Sequence, residues 1–247
     1  MSNMRVELIR ATEKPEQIAA LGARLCYSGL PFDELSARVD AESDGFLMEV
    51  IQSGHLSILE HASFTFYIEG ASRVLLLQIT RHRIASFSVQ SQRYVSKEKG
   101  FDYVIPPSIA ALGDGAAAEY KAQMKTIHGW YVGWQERLSK SGETKNEDAR
   151  FVLPGACETR MIVTMNAREL LHFFSLRCCA RAQWEIRAVA DQMLKAVYRQ
   201  SPAMFQKAGP PCIAGHCSEG KRSCGKTETI RRHIMEIKGE KHAVWEK

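Results

Sequence analysis

The chain has 247 residues, of which 45% are hydrophobic, 25% charged and 9% aromatic, a globular composition that excludes fibrous and disordered classes. No apolar run nears the ~20 residues of a membrane-crossing helix, and the charged N-terminal segment has no apolar signal region, so a cytoplasmic location is expected. The net charge of +5 is a mild bias that suits anionic small ligands or nucleic acid, and the seven scattered cysteines are expected as reduced thiols unless some bind metal.

Residues 6–11, VELIRA, predict a strand. Pro15 can open a helix at its first turn, and EQIAALGARLCYS continues it with apolar spacing. Residues 43–53 predict a helix stopped by Gly54. In residues 62–70, Phe64, Phe66 and Ile68 alternate onto one face of a strand. SRVLLLQITRHR, 72–83, predicts a helix, and 84–93 a polar loop. Residues 116–139 predict a long helix ended by Ser141-Gly142. A shorter helix is expected from Glu143 to Arg150, because a residue before proline disfavours the α region at Leu153-Pro154. TRMIVTMN, 159–166, predicts a strand. Asn166 then caps ARELLHFFSLRCCA, and 181–200 is an amphipathic helix. Irregular mixing of strands and helices predicts an α+β fold. A single mixed domain is expected over 1–207, with a Cys-containing extension over 208–247.

The densest chemistry lies in Gln78-Ile79-Thr80-Arg81-His82-Arg83, followed by Val89, Gln90, Ser91, Gln92 and Arg93. On a continuous helix Gln78, Arg81 and His82 share a face, and guanidinium groups offer bidentate donors to phosphate. A basic helix end followed by a polar loop reads equally well from these residues alone. Ser57-x-x-Glu60, inside Gly54-His55-Leu56-Ser57-Ile58-Leu59-Glu60-His61, has capping-box spacing. Arg168 and His172 form an i,i+4 pair. Asn166 and Arg177 lie three turns apart on one helical face. In the tail, Cys212, His216, Cys217 and Cys224 could form a tetrahedral zinc site or remain flexible thiols.

Arg81-His82-Arg83, seven residues and then Ser91 resembles the signature of the flavin-dependent thymidylate synthases. The resemblance runs from about residue 5 to about residue 206. It is carried further by the 54–61 segment, by Ala149-Arg150-Phe151-Val152-Leu153-Pro154, by Asn166-Ala167-Arg168, and by Leu176-Arg177 with Ala182-Gln183-Trp184-Glu185-Ile186-Arg187. It implies reductive methylation of dUMP to dTMP, with 5,10-methylenetetrahydrofolate as carbon donor and NADPH-reduced FAD as hydride source. It further implies a homotetramer with shared active sites, and neither nucleic acid nor membrane as a partner.

By residue, the resemblance implies that Gln78, Arg81, Val89, Gln90, Ser91, Gln92, Arg93, Arg150 and Arg177 meet dUMP. It implies that His55, Ser57, Arg81, His82, Arg83, Asn166, Arg168 and His172 meet FAD. Arg177 is the catalytic assignment: a cation at N3 favours the deprotonated uracil and makes C5 more nucleophilic. No cysteine falls within a nucleotide-binding motif, so no protein nucleophile is expected. Val89 stands where many members of the family have an acidic residue. Two other classes remain compatible with the residues: an RNA-binding protein with a zinc knuckle in its tail, and a flavin reductase without methyl transfer.

Overall fold

A computed structural model describes residues 4–41, 45–141 and 145–239. In chain order the elements are β1 (Arg5–Ala11), α1 (Pro15–Leu25), α2 (Phe32–Ala41), α3 (Gly45–Gln52), a 3-10 segment (Leu56–His61), β2 (Ser63–Ser72), α4 (Arg73–Ile79) and β3 (Ala85–Val89). There follow α5 (Pro107–Ala110), α6 (Asp114–Ser141), α7 (Lys145–Ala149), a 3-10 turn (Arg150–Val152), β4 (Glu158–Asn166), α8 (Ala167–Arg177), α9 (Trp184–Gln200) and α10 (Pro202–Phe205). Two further 3-10 turns, Pro211–Ile213 and Gly220–Arg222, lead to α11 (Thr227–Lys238). The strands form one antiparallel sheet in the order β1-β2-β4-β3, and the mixture is the expected α+β class. Among the described residues no helix is long and apolar enough to cross a membrane.

The chain forms two compact units. Among the described residues, one comprises those within 4–5, 68–81 and 87–162, the other those within 6–67, 82–86 and 163–239. In the second, alternation on β2 buries Phe64 and Phe66, as its sequence requires. Helix α8 adds Leu170, Phe173 and Phe174, and α9 adds Val189, Met193 and Val197, all buried. Phe64 and Phe174 meet Phe205 edge-on, at centroid distances of 5.5 and 6.1 Å, an arrangement aromatic quadrupoles favour. Segment 208–239 belongs to this unit, and α11 packs on α9 through a face that buries Ile230 and Ile234.

In the first unit Ile68, Leu75, Ile79 and Met161 are buried. Helix α6 contributes Tyr131, whose phenol oxygen accepts from Gln135 Nε2 at 3.0 Å. The expected pre-proline break is present: Leu153 is extended (φ −67°, ψ 137°) after the 150–152 turn.

Several expectations are corrected. Helix α4 ends at Ile79, so Arg81, His82 and Arg83 lie beyond it and share no helix face with Gln78. Thr80 ends it: its hydroxyl donates back to the Leu76 carbonyl at 2.8 Å, the local competition that bends and stops helices. Residues 85–89, expected as loop, form edge strand β3, and the period-2 burial was present in Ala85, Phe87 and Val89. Helices α2 and α11 were not predicted, although Phe32, Leu35 and Val39 in the one and Ile230, Ile234 and Ile237 in the other repeat at helical spacing. The helix expected at 43–53 is seen as Gly45–Gln52; Ser43 and Asp44, like the predicted stop at Gly142 and the helix start at Glu143, lie outside the described residues.

Candidate active site

Asn166 lies at the junction of β4 and α8. As expected it is the N-cap of α8, its side-chain oxygen accepting from the Glu169 backbone at 2.9 Å. The Ala167 backbone donates to the Ala62 carbonyl at 2.8 Å, fixing the helix start against the head of β2. Glu169, in the first turn, is a favoured position for an acid, yet its side chain is buried.

That buried carboxylate meets His82. Glu169 Oε1 accepts from His82 Nδ1 at 2.8 Å, and Arg177 Nε, at the far end of α8, donates to His82 Nε2 at 3.1 Å. A carboxylate accepts and a guanidinium donates, so His82 is the neutral tautomer with its proton on Nδ1. Burial holds its pKa below the ordinary 6.5; Arg177 and His172 add to that, while the Glu169 hydrogen bond opposes it. The rings of Phe173 and His172 pack edge-on to His82, with centroids at 4.9 and 5.8 Å. His82, Glu169 and His172 bring potential ligand atoms within 4.8 Å of one another. Both His82 nitrogens are committed and a guanidinium faces one of them, so the trio is a hydrogen-bonding network rather than a metal centre.

Around this network the second unit carries exposed donors. His55 and Ser57 are exposed and make no side-chain hydrogen bond among the described residues. Arg83 is exposed without an ion pair among them. The capping box expected at Ser57-x-x-Glu60 is absent: His55 is the N-cap of the 3-10 segment, with no side-chain cap, and Glu60 is ion-paired with Arg168. Leu56 already begins the turn, which leaves Ser57 one position too far in to cap it.

The first unit holds Gln78, Arg81, Val89, Gln90, Ser91, Gln92, Arg93 and Arg150. Gln78 is half-buried near the end of α4, and Arg81 is exposed without an ion pair among the described residues. Val89 ends β3 half-buried. The Gln90 backbone donates to the Arg160 carbonyl at 2.9 Å. Its side-chain oxygen accepts from Lys97 Nζ at 3.5 Å. Ser91 Oγ accepts from the Arg93 backbone at 3.1 Å, closing a serine turn. Arg93 pairs with Glu147 at 2.7 Å, and Arg150 Nε donates to the Glu147 carbonyl at 3.0 Å. Gln92 Nε2 lies 3.7 Å from Cys157 Sγ.

Two participants escaped the sequence reading. Glu169 looked like a helix-start acid, and only its burial marks it. Arg73 is half-buried; burial lowers its pKa, Cys157 raises it and the Arg150 cation lowers it. Its signal was a cation in the first turn of α4, where the helix dipole disfavours one. The cysteines stay outside this chemistry: burial raises the Cys157 thiol and pushes Cys178 well above its usual range, away from thiolate.

A family profile described as thymidylate synthase complementing protein matches residues 7–203. A protein of Geobacter sulfurreducens named flavin-dependent thymidylate synthase is 47% identical over 236 residues, covering 95% of this chain and 99% of its own. One of Clostridium tetani with the same name is 41% identical over 240 residues, covering 93% and 96%. The solved structure of PolB from Streptomyces cacaoi, a UMP/dUMP methylase bound with 5-Br dUMP, matches at TM-score 0.66 and 26% identity, covering 85% of this chain and 97% of that one. With the family profile spanning most of its length and these relatives matched nearly end to end, the chain belongs to the flavin-dependent thymidylate synthase family.

Proposed function

We propose that this chain catalyses reductive methylation of dUMP to dTMP. The carbon donor is 5,10-methylenetetrahydrofolate and the hydride source is FAD reduced by NADPH. The names of the Geobacter and Clostridium relatives and the ligand of the PolB structure support the reaction and the substrate. The observation that carries the reading is the chain Glu169–His82–Arg177. A buried carboxylate fixes one imidazole tautomer, and that imidazole fixes the catalytic guanidinium.

In this reading Arg177 lies beside N3 of the pyrimidine. Its charge favours the N3-deprotonated ring, and the electron density that this releases makes C5 the nucleophile. Gln78, Arg81, Val89, Gln90, Ser91, Gln92, Arg93 and Arg150 hold the rest of dUMP, the guanidinium groups facing its phosphate. Ser91, whose oxygen already accepts from a backbone N–H, is a substrate hydrogen-bonding group rather than a nucleophile.

The donor set suits FAD. His55, Ser57 and Arg83 present exposed donors without partners among the described residues, as an anionic diphosphate and a polar ring edge require. Those three, with Arg81, His82, Asn166, Arg168 and His172, would hold it. Bound there and reduced by NADPH, it supplies the hydride that completes the methyl group. The assembly is a homotetramer with shared active sites.

Arg177→Ala tests the assignment with dUMP tritiated at C5. Tritium release in the presence of folate and NADPH falls on the order of 10²–10³-fold, the usual loss for one preorganised electrostatic group. The purified variant remains yellow with bound flavin. Turnover like the wild type would overturn the role of Arg177.

A further inference from the structure

His82 is buried between two side chains of one helix. Glu169 Oε1 lies 2.8 Å from Nδ1 and Arg177 Nε 3.1 Å from Nε2, so neither ring nitrogen faces water. Among the described residues the charged and titratable groups that face the ring are Glu169, Arg177 and His172, all on α8. Phe173, also on α8, packs edge-on to it at 4.9 Å. Arg81 and Arg83 flank His82 in the chain, and both are exposed.

The contact with Arg177 depends on one lone pair. A guanidinium donates only and does not lose its proton, so the bond exists while Nε2 is unprotonated. When Nε2 takes a proton from solvent, the ring becomes an imidazolium with N–H on both sides. Donor then faces donor and cation faces cation at the position now 3.1 Å from Arg177 Nε. Glu169 keeps its charge and its bond to Nδ1 throughout. The neutral ring with its proton on Nε2 would oppose Arg177 in the same way, and the acceptor-only carboxylate of Glu169 excludes that tautomer by holding the proton on Nδ1.

We propose that Glu169 and His82 form a proton-gated strut for Arg177: Glu169 is a positioning residue that keeps the Nε2 lone pair aimed at the guanidinium, and protonation of Nε2 releases Arg177 and stops turnover. This rests on the role of Arg177 beside N3 of the pyrimidine proposed above, and adds to it a control by pH. Burial holds His82 below the ordinary 6.5 of an imidazole, so the strut is intact at neutral pH and fails only on acidification. Other guanidinium groups hold the phosphate of dUMP, so release of Arg177 lowers kcat more than it raises KM.

The test follows tritium release from dUMP tritiated at C5 as a function of pH, from about pH 5 to 8, with FAD, NADPH, folate and dUMP saturating. Wild-type kcat bends downward on the acid side, at an apparent pKa below 6.5. His82→Gln offers Arg177 an amide oxygen that does not titrate; it keeps part of the turnover and loses the bend. In Glu169→Gln the amide can donate as well as accept, so the tautomer is no longer fixed. Its kcat falls on the order of 10–100-fold, the usual worth of a hydrogen bond to a charged group. Its bend moves to lower pH, because a group that raises the His82 pKa is gone. The ¹⁵N spectrum of histidine-labelled protein reads the strut without turnover: the wild type shows one neutral imidazole protonated on Nδ1, and Glu169→Gln a mixture of tautomers. Should Glu169→Gln fail to fold, the His82→Gln profile and the wild-type spectrum still decide. A bend retained in His82→Gln, wild-type kcat and bend in Glu169→Gln, or a wild-type spectrum with no neutral imidazole protonated on Nδ1 would overturn the strut alone. A wild type that releases no tritium at any pH would overturn the reaction and the strut with it.

Discussion

His82 has one neighbour that pays its desolvation, Glu169, and one that it in turn orients, Arg177. Its folded pKa lies below the 6.5 of a free imidazole. The unfolded chain therefore binds the extra proton between those two values, and stability rises with pH across that window. The contribution is full above pH 6.5 and is lost as pH falls toward the folded value. The melting temperature of the wild type accordingly drops between pH 7.5 and pH 5.5, and His82→Asn flattens part of that dependence. A variant with the same slope as the wild type would show that His82 is not the group titrating. The buried thiols behave differently, since burial raises Cys157 and Cys178 and keeps both protonated and inert near neutral pH.

At the scale of the element, α8 decides the geometry of the site. Its N-cap, its first-turn acid and its last residue are Asn166, Glu169 and Arg177, so one rigid segment spaces the three. Asn166 thus has a structural duty besides the contact with flavin proposed for it. Asn166→Ala removes the acceptor for the Glu169 backbone and costs about 1 kcal/mol in urea unfolding, whereas Asn166→Asp keeps the cap and most of that stability. Equal stability of the Ala variant would mean that packing alone holds the helix start. Asp carries a charge that a flavin diphosphate would repel, so Asn166→Asp separates the two duties: a stable fold with weakened flavin binding is the expected result.

At the scale of the whole chain, the tail is packed rather than appended. Ile213, Ile230 and Ile234 are buried, the Lys238 ammonium donates to the Gln206 carbonyl, and His233 meets Asp191 of α9 at 2.8 Å. Gly209, at φ +140°, leaves no room for a side chain: a Cβ would lie 2.6 Å from Ile213. Truncation after Gly209 uncovers the faces these isoleucines cover, at about 1.5–3 kcal/mol for each fully buried aliphatic side chain. At about 2–4 °C per kcal/mol for a chain of this size, the melting temperature falls by roughly 10 °C or more. The motif residues all precede the cut, so protein kept below its melting point retains tritium release from dUMP. Complete loss of release in a folded, yellow truncated protein would place the tail in the active site.

The sequence alone was enough for what depends on near neighbours. Alternation marked β2, a polar cap marked the start of α8, proline marked the break at Leu153, and the spacing from Arg81 to Ser91 marked the family. Each of these signals arises within a few residues, where backbone geometry imposes a period or a cap. Some failures were local too: the helical spacing of Phe32, Leu35 and Val39 in α2 was passed over, and Thr80 ended α4 before the arginines. Tertiary structure decided the rest. Glu169 finds His82 at a separation of 87 residues, and Glu60 takes Arg168, 108 residues away, in place of a local cap. The turn after α8 meets the tail where the Arg181 guanidinium donates to the Arg222 carbonyl, 41 residues further on. Such pairings leave no periodic trace, because their energy comes from burying a charge or a thiol beside a partner that chain folding alone brings near.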